Sequence, residues 1–253
     1  MSTLTAEPQT SAMTRLTEAQ IKEYYVEGYT LVRGLVPKGS IDKLMATAPN
    51  AGVSANREWN ARSWEPKEPM LGGANGAAQV HRLFIEPSVI QACEDIFGAP
   101  ARCYWGMLAL VAPHGGRGLK WHQDNQYTHI FGGALNIFIA VSRITPEMAN
   151  LWVAPKSHLL GTVPSKDQVG HREVVNAPEN GILLPTLEPG DACIFTRDTI
   201  HRSLTNETDQ VRYAYAAQYS SNNSRYSKDG SIPGNKPLAW DLRKLWVSEG
   251  LVD

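Results

Sequence analysis

The stretch "CYWGMLALVA", residues 103–112, decides the fold class. It lacks the 3.6-residue apolar period of a helix and is rich in Tyr, Trp, Leu and Val, so it reads as a β-strand. Similar segments follow it, separated by turn residues: "ALNIFIAVS" (134–142), "NLWVAP" (150–155), "GILLPTL" (181–187), "DACIFT" (191–196) and "RYAYAAQYS" (212–220). Short strands in succession, with no helix between them, predict an antiparallel sandwich or barrel over residues 100–220.

Helices are expected outside this region, mostly before it. Thr17 and Gln20 form a T-x-x-Q capping box that opens a helix running to about residue 27, where Gly28 can end it. "YTLVRGLV" (29–36) reads as a strand with a turn, and "SIDKLMATA" (40–48) as a short helix. "PSVIQACEDIFG" (87–98) has Pro87 in the first turn of a helix and Gly98 at its end. "LAWDLRKLWVSEG" (238–250) reads as a terminal helix that packs Trp and Leu on the barrel. Residues 50–79 have little periodicity and much Gly, Pro and Asn, and read as a long loop. Gly72-Gly73 and Asn75-Gly76 give that loop hinge-like freedom, and Trp59, Trp64 and Met70 offer it an apolar surface, so it is either a cover over a site or an ordered loop with buried tryptophans. No repeat or linker interrupts the chain, so one domain over 1–253 with a flexible tail at 1–15 is expected.

Composition excludes several classes. The 253 residues carry 24 Lys+Arg and 25 Asp+Glu, a net charge of -1, so no basic surface for nucleic acid is expected. No apolar run approaches the roughly 18 residues needed to span a bilayer, and the first residues lack the apolar core of a signal peptide. Cys93, Cys103 and Cys193 are widely spaced and without a CxxC, as expected of free buried thiols in a reducing cytoplasm.

The chemistry starts in "GLKWHQDNQY" (118–127). In a strand, residues two apart share a face, so His122 and Asp124 project together with Gln123 opposite. Alone, an H-x-D pair is more often a surface ion pair or a satisfied core histidine than a metal site. His201, in "TRDTIHRSLTN" (196–206), is a candidate third ligand, and two imidazoles with one carboxylate are the donor set of non-haem Fe(II) oxygenases. Eleven residues later, Arg212 shares a strand face with Ala214 and Ala216, which leave space beside a guanidinium for a small carboxylate. An ion pair with Glu207 or Asp209 is the alternative.

Four segments in order resemble the phytanoyl-CoA dioxygenase family of Fe(II)- and 2-oxoglutarate-dependent oxygenases. They are "WHQD" (121–124), "HRSLTNETDQVR" (201–212), "IAVSRITPEMANLWVAPKSH" (139–158) and "LTEAQIKEYYVEGYTLVRGLVP" (16–37). The resemblance implies a mainly β, double-stranded β-helix (a cupin-like jelly roll), with Fe(II) held by His122, Asp124 and His201. It implies 2-oxoglutarate and O2 as co-substrates, with Arg212 on the distal carboxylate and Ser203, Phe138 and Gln123 beside the co-substrate. Gln126, Asn136, Arg143 and Trp152 are candidates for contacting the primary substrate. The implied reaction is hydroxylation, desaturation or rearrangement of a small molecule, as in secondary metabolism, with release of succinate and CO2. A metal-dependent cupin that does not use 2-oxoglutarate would have no need of Arg212. A ligand-binding jelly roll without catalysis would need neither His201 nor the H-x-D pair. The chain departs from the family at Ser142-Arg143, where two acids are usual, at Met148-Ala149, where Asn-Gly is usual, and at Lys156, where P-G-S-H has glycine.

Overall fold

The computed structural model describes residues 15–47, 59–64, 78–168, 171–233 and 236–253. The helices are α1 (Glu18–Glu27), α2 (Lys38–Thr47), α3 (Pro87–Phe97) and α4 (Ala239–Ser248). The strands are β1 (Tyr29–Val32), β2 (Trp59–Trp64), β3 (Ala101–Val111), β4 (Gly116–Arg117), β5 (Ile130–Phe131), β6 (Ala134–Ala140), β7 (Leu151–Val153), β8 (Ser165–Gln168), β9 (His171–Val174), β10 (Ile182–Leu183), β11 (Ala192–Thr196), β12 (His201–Ser203), β13 (Thr205–Asn206), β14 (Arg212–Ser221) and β15 (Arg225–Tyr226).

A six-stranded antiparallel sheet, in the order β1-β11-β6-β14-β3-β2, forms one wall. A three-stranded sheet, β10-β7-β12, forms the facing one. Two-residue alternation divides every long strand between two environments. Leu135, Ile137 and Ile139 of β6, Ile194 of β11 and Tyr215, Ala217 and Tyr219 of β14 join one cluster with Tyr24, Leu44, Ile90, Leu242 and Trp246 of the helices. Phe138, Ala140, Cys193, Phe195 and Ala214 point the other way and meet Leu151 and Val153 of the small sheet. The helices therefore cover the outer face of the large sheet, and the space between the sheets is left for a site. This is an antiparallel sandwich, as the strand pattern predicts, and the double-stranded β-helix that the resemblance implies.

Local signals set the helix ends. Thr17 Oγ1 accepts from Gln20 N at 3.2 Å and Gln20 Oε1 accepts from Thr17 N at 2.9 Å, completing the capping box. Gly28 ends α1 at φ +86°, and a Cβ there would also collide with the His158 ring. Its carbonyl accepts from Thr196 N at 3.0 Å and from Thr199 Oγ1 at 2.6 Å, which ties the end of α1 to the turn before β12. All three cysteines are buried and free.

The strand with a turn in "YTLVRGLV" forms as expected, strand over Tyr29–Val32 and the turn at Gly34, φ +59°. Other expectations change. The hairpin β8–β9 has no counterpart in the sequence reading. Within 50–79, residues 59–64 form an edge strand on β3, Trp59 opposite Val111 through Trp64 opposite Gly106, rather than loop. The cover built on Met70, Gly72-Gly73 and Asn75-Gly76, like most of the tail at 1–15, lies outside the described residues.

Candidate metal centre

His122 lies between β4 and β5 and pairs with His201 at the start of β12. Each donates its backbone N–H to the other's carbonyl at 3.0 Å, so the two side chains leave from directly opposed positions, with ring centroids 4.1 Å apart. Alternation carries across Gln123, whose backbone is extended, but Asp124 does not continue a strand: it opens a 3-10 turn, Asp124–Gln126. The side chains still converge. One ligand atom from each of His122, Asp124 and His201 falls within 4.8 Å of the others, and Asp124 Oδ1 lies 3.7 Å from His122 Nε2.

Each donor is oriented from behind. His122 Nδ1 donates to Lys120 O at 2.7 Å and His201 Nδ1 to Thr199 O at 2.9 Å, which leaves both Nε2 lone pairs facing inward. Burial lowers the pKa of His122 to about 4 and also lowers that of His201, so both rings are neutral and able to ligate near pH 7. Burial acts against the Asp124 carboxylate, but the two imidazoles, Arg197 and the Gln218 amide outweigh it and its pKa falls. Gln218 Nε2 donates to Asp124 Oδ2 at 2.9 Å and leaves Oδ1 toward the histidines. Arg197, 3% exposed, donates in turn to the Gln218 side-chain oxygen, to Asp124 O at 3.0 Å, to Thr128 O at 3.1 Å and to Asn125 Oδ1 at 3.1 Å. Two neutral imidazoles and one carboxylate, all aimed inward, suit a divalent iron.

Arg212 faces the same interior. Its guanidinium lies 5.5 Å from the Phe138 ring centroid, and its Nη1 donates to Ala149 O at 3.1 Å. Its Nε has no partner, and no acid pairs with it among the described residues, so the ion pair with Glu207 or Asp209 is not formed. Burial lowers its pKa only to about 10, and it stays a cation with no counter-charge. Ala214 and Ala216 continue its column along β14 toward Gln218. Ser203 shares the inward face of β12 with His201; its Oγ accepts from Leu119 N at 3.3 Å and keeps its own proton to donate.

The other candidates separate clearly. Asn136 points inward from β6, 4% exposed, with neither side-chain atom paired among the described residues. Gln123 does not reach the co-substrate space, because its amide is used by the main chain: Nε2 donates to Gly161 O and Asp198 O, and Oε1 accepts from Val163 N. Gln126 likewise donates to Val163 O at 3.0 Å. Arg143 is exposed and paired with Glu188 at 3.0 Å, so the cation at this departure from the family is solvated. Trp152 lies on the outer face of the small sheet, where the Arg202 guanidinium lies 4.6 Å from its ring centroid and 4.3 Å from that of Trp121. A surface cleft of about 500 Å³ beside Ser157, Val175 and Ile200 contains none of the inward donors.

The sequence matches the profile of the phytanoyl-CoA dioxygenase (PhyH) family over residues 24–214. The chain belongs to the phytanoyl-CoA dioxygenase family. A methylphosphonate hydroxylase of Gimesia maris is 28% identical over 136 residues, 53% of this chain and 51% of that protein, so the match spans about half of that relative's length. Among solved structures, the epimerase SnoN in complex with Fe3+, alpha ketoglutarate and nogalamycin RO superposes with a TM-score of 0.68 at 20% identity, covering 86% of this chain and 90% of SnoN. EvdO2 of Micromonospora carbonacea var. aurantiaca, complexed with 2-oxoglutarate, superposes at 0.69 and 17% identity, covering 87% and 96%. SnoN, with Fe3+ and alpha ketoglutarate bound, and EvdO2, with 2-oxoglutarate bound, share the fold of this chain.

The sequence reading missed two residues of this family member's centre, Arg197 and Gln218. Gln218 was within reach, since it follows Arg212, Ala214 and Ala216 on the same strand face. Arg197 carried a weaker signal, a charge at the end of the apolar run "ACIFT". The His171 ring packs 4.7 Å from that of His122, and its Nδ1 meets the Tyr127 hydroxyl at 2.7 Å.

Proposed function

We propose that this protein is an Fe(II)- and 2-oxoglutarate-dependent dioxygenase that hydroxylates a small-molecule intermediate of secondary metabolism in the cytoplasm. One observation carries the co-substrate: Arg212 is a buried cation without an acid, on the wall that leads to the His122–Asp124–His201 set. A cupin that did not use 2-oxoglutarate would gain nothing from that uncompensated charge. The two Nε2 atoms and Asp124 Oδ1 hold the metal, and Arg212 takes the distal carboxylate through its free N–H groups. When bound, iron with O2 couples oxidative decarboxylation of 2-oxoglutarate, to succinate and CO2, to oxidation of a substrate C–H bond. The protein's share is placement: Phe138, Ala140 and Phe195 keep water from the interior, and Ala214 and Ala216 leave room for the co-substrate chain. Hydroxylation is supported by the similarity to the methylphosphonate hydroxylase of Gimesia maris.

The test is coupled succinate release with Arg212 variants. Losing a buried, charge-assisted partner costs on the order of 2–5 kcal/mol, so Arg212→Ala should weaken 2-oxoglutarate by at least about 30-fold, and Arg212→Lys by less. Unchanged 2-oxoglutarate affinity in Arg212→Ala would sink the reading.

A further inference from the structure

Asn136 is the inward polar residue of β6, in a row with Phe138 and Ala140. It is 4% exposed, and neither Oδ1 nor Nδ2 has a hydrogen-bond partner among the described residues. A buried amide that forgoes every bond is disfavoured in the empty protein and indicates a ligand that completes it. Its surroundings identify which one. Its neighbours across the sheet are Gln218 and Phe195. Gln218 holds Asp124 Oδ2 at 2.9 Å, and the Phe195 ring packs 4.6 Å from that of His201. Both sides of Asn136 therefore abut the donor set. Two residues along β6 lies Phe138, which carries the Arg212 guanidinium on its ring. That step is about 6.6 Å at a strand's rise, a length suited to a five-carbon diacid. The wall between the two points is Ala214 and Ala216, with nothing beyond Cβ.

We infer that Asn136 is a co-substrate-binding residue: its Nδ2 donates to the metal-side carboxylate of 2-oxoglutarate, while Arg212 holds the distal one. This rests on the proposed co-substrate and adds the second fixed end. A neutral amide suits the place, because it can donate to an anion without competing for the metal as a carboxylate would.

The test is anaerobic titration of the Fe(II)-loaded protein with 2-oxoglutarate, followed by the visible charge-transfer absorption of the chelate. One hydrogen bond to a charged group corresponds to about ten-fold or more in Kd. Asn136→Ala should raise Kd by about ten-fold, Asn136→Asp by more because like charges oppose, and Asn136→Gln by less than Ala. Fe(II) affinity without 2-oxoglutarate should stay within about two-fold in Asn136→Ala. Apo Tm should not fall in that variant, since no protein partner is lost; a merely structural amide would lower it. Unchanged Kd in both Ala and Asp variants, with a raised KM for the primary substrate, would overturn the assignment and give Asn136 to that substrate. A parent protein that binds no 2-oxoglutarate overturns both this inference and the co-substrate reading, whereas loss in Arg212→Ala alone overturns only the role of Asn136.

Discussion

At the scale of single residues, two departures from the family pattern have a structural cost. Ala149, where the family has glycine, sits at φ +52°, and Lys156, in place of the glycine of P-G-S-H, at φ +64°. Left-handed backbone costs an L-residue roughly 1–2 kcal/mol, and the extra freedom of glycine in the unfolded chain returns part of it. Ala149→Gly and Lys156→Gly should therefore each stabilise the fold by about 0.5–1 kcal/mol, read as a rise in urea midpoint at constant m-value. The two should differ in function. Ala149 O accepts from Arg212 Nη1 at 3.1 Å, so loosening that turn touches the co-substrate anchor. Lys156 joins the end of α1 through its N–H to Glu27 O at 2.8 Å, away from the donor set. Ala149→Gly should thus weaken 2-oxoglutarate while stabilising the chain, and Lys156→Gly should stabilise it with Kd unchanged. A loss of stability in both would show that the left-handed positions carry no strain.

At the scale of elements, the centre depends on two strands that supply no ligand. β14 brings Gln218 to Asp124, and its ladder with β3 shifts register between Gln218 and Tyr219, the kind of irregularity that re-aims a side chain. The turn after β11 brings Arg197 behind both. Gln218→Leu would strand Asp124 Oδ2 and one Arg197 nitrogen in the interior. Partners of this kind are worth roughly 10- to 100-fold in metal affinity, so Mn(II) or Fe(II) titration should show a loss of at least about ten-fold. An unchanged metal Kd would mean that the histidine pair alone fixes the site. This also marks where the sequence was legible. Alternation in "RYAYAAQYS" put Arg212 and Gln218 on one face, and the spacing of His122 and Asp124 pointed to convergence. The 3-10 turn at Asp124 was not legible, because the turn is fixed from outside by Arg197 binding Asp124 O and Thr128 O. Nor was the role of Gln123, whose partners lie about 40 and 75 residues away in sequence. Edge strand β2 was illegible for a related reason: its pairing with β3 is chosen by the open edge, not by its own pattern.

At the scale of the whole molecule, the helices close one face of the large sheet and the small sheet closes the other, so titratable groups are trapped on both sides. His81, 3% exposed, bonds the Tyr215 hydroxyl at 2.8 Å on the helix-covered side, and burial lowers its pKa to about 3. His122 is lowered to about 4 on the inner side, first by burial and then by His201. Both folded values lie below the ordinary 6.5, so the unfolded chain takes up protons that the folded one refuses as pH falls from 6.5. Their contribution is complete above that pH and is lost on acidification toward the folded values. His171 is lowered to about 4 as well and His201 is also lowered, both first by burial, so four groups share the effect, each contributing up to about 1.4 kcal/mol per pH unit below its unfolded pKa, against a total stability of about 5–15 kcal/mol. Most carboxylates are not yet protonated between pH 6.5 and 5, so that window isolates the histidines. The metal-free protein should lose urea stability steadily across it and be nearly constant from pH 7 to 8. His81→Gln keeps a hydrogen-bonding group against Tyr215 but cannot titrate, so it should remove roughly a quarter of the slope. A pH-independent midpoint in the parent, or an unaltered slope in His81→Gln, would mean that His81 is protonated in the folded protein and its burial compensated by another group.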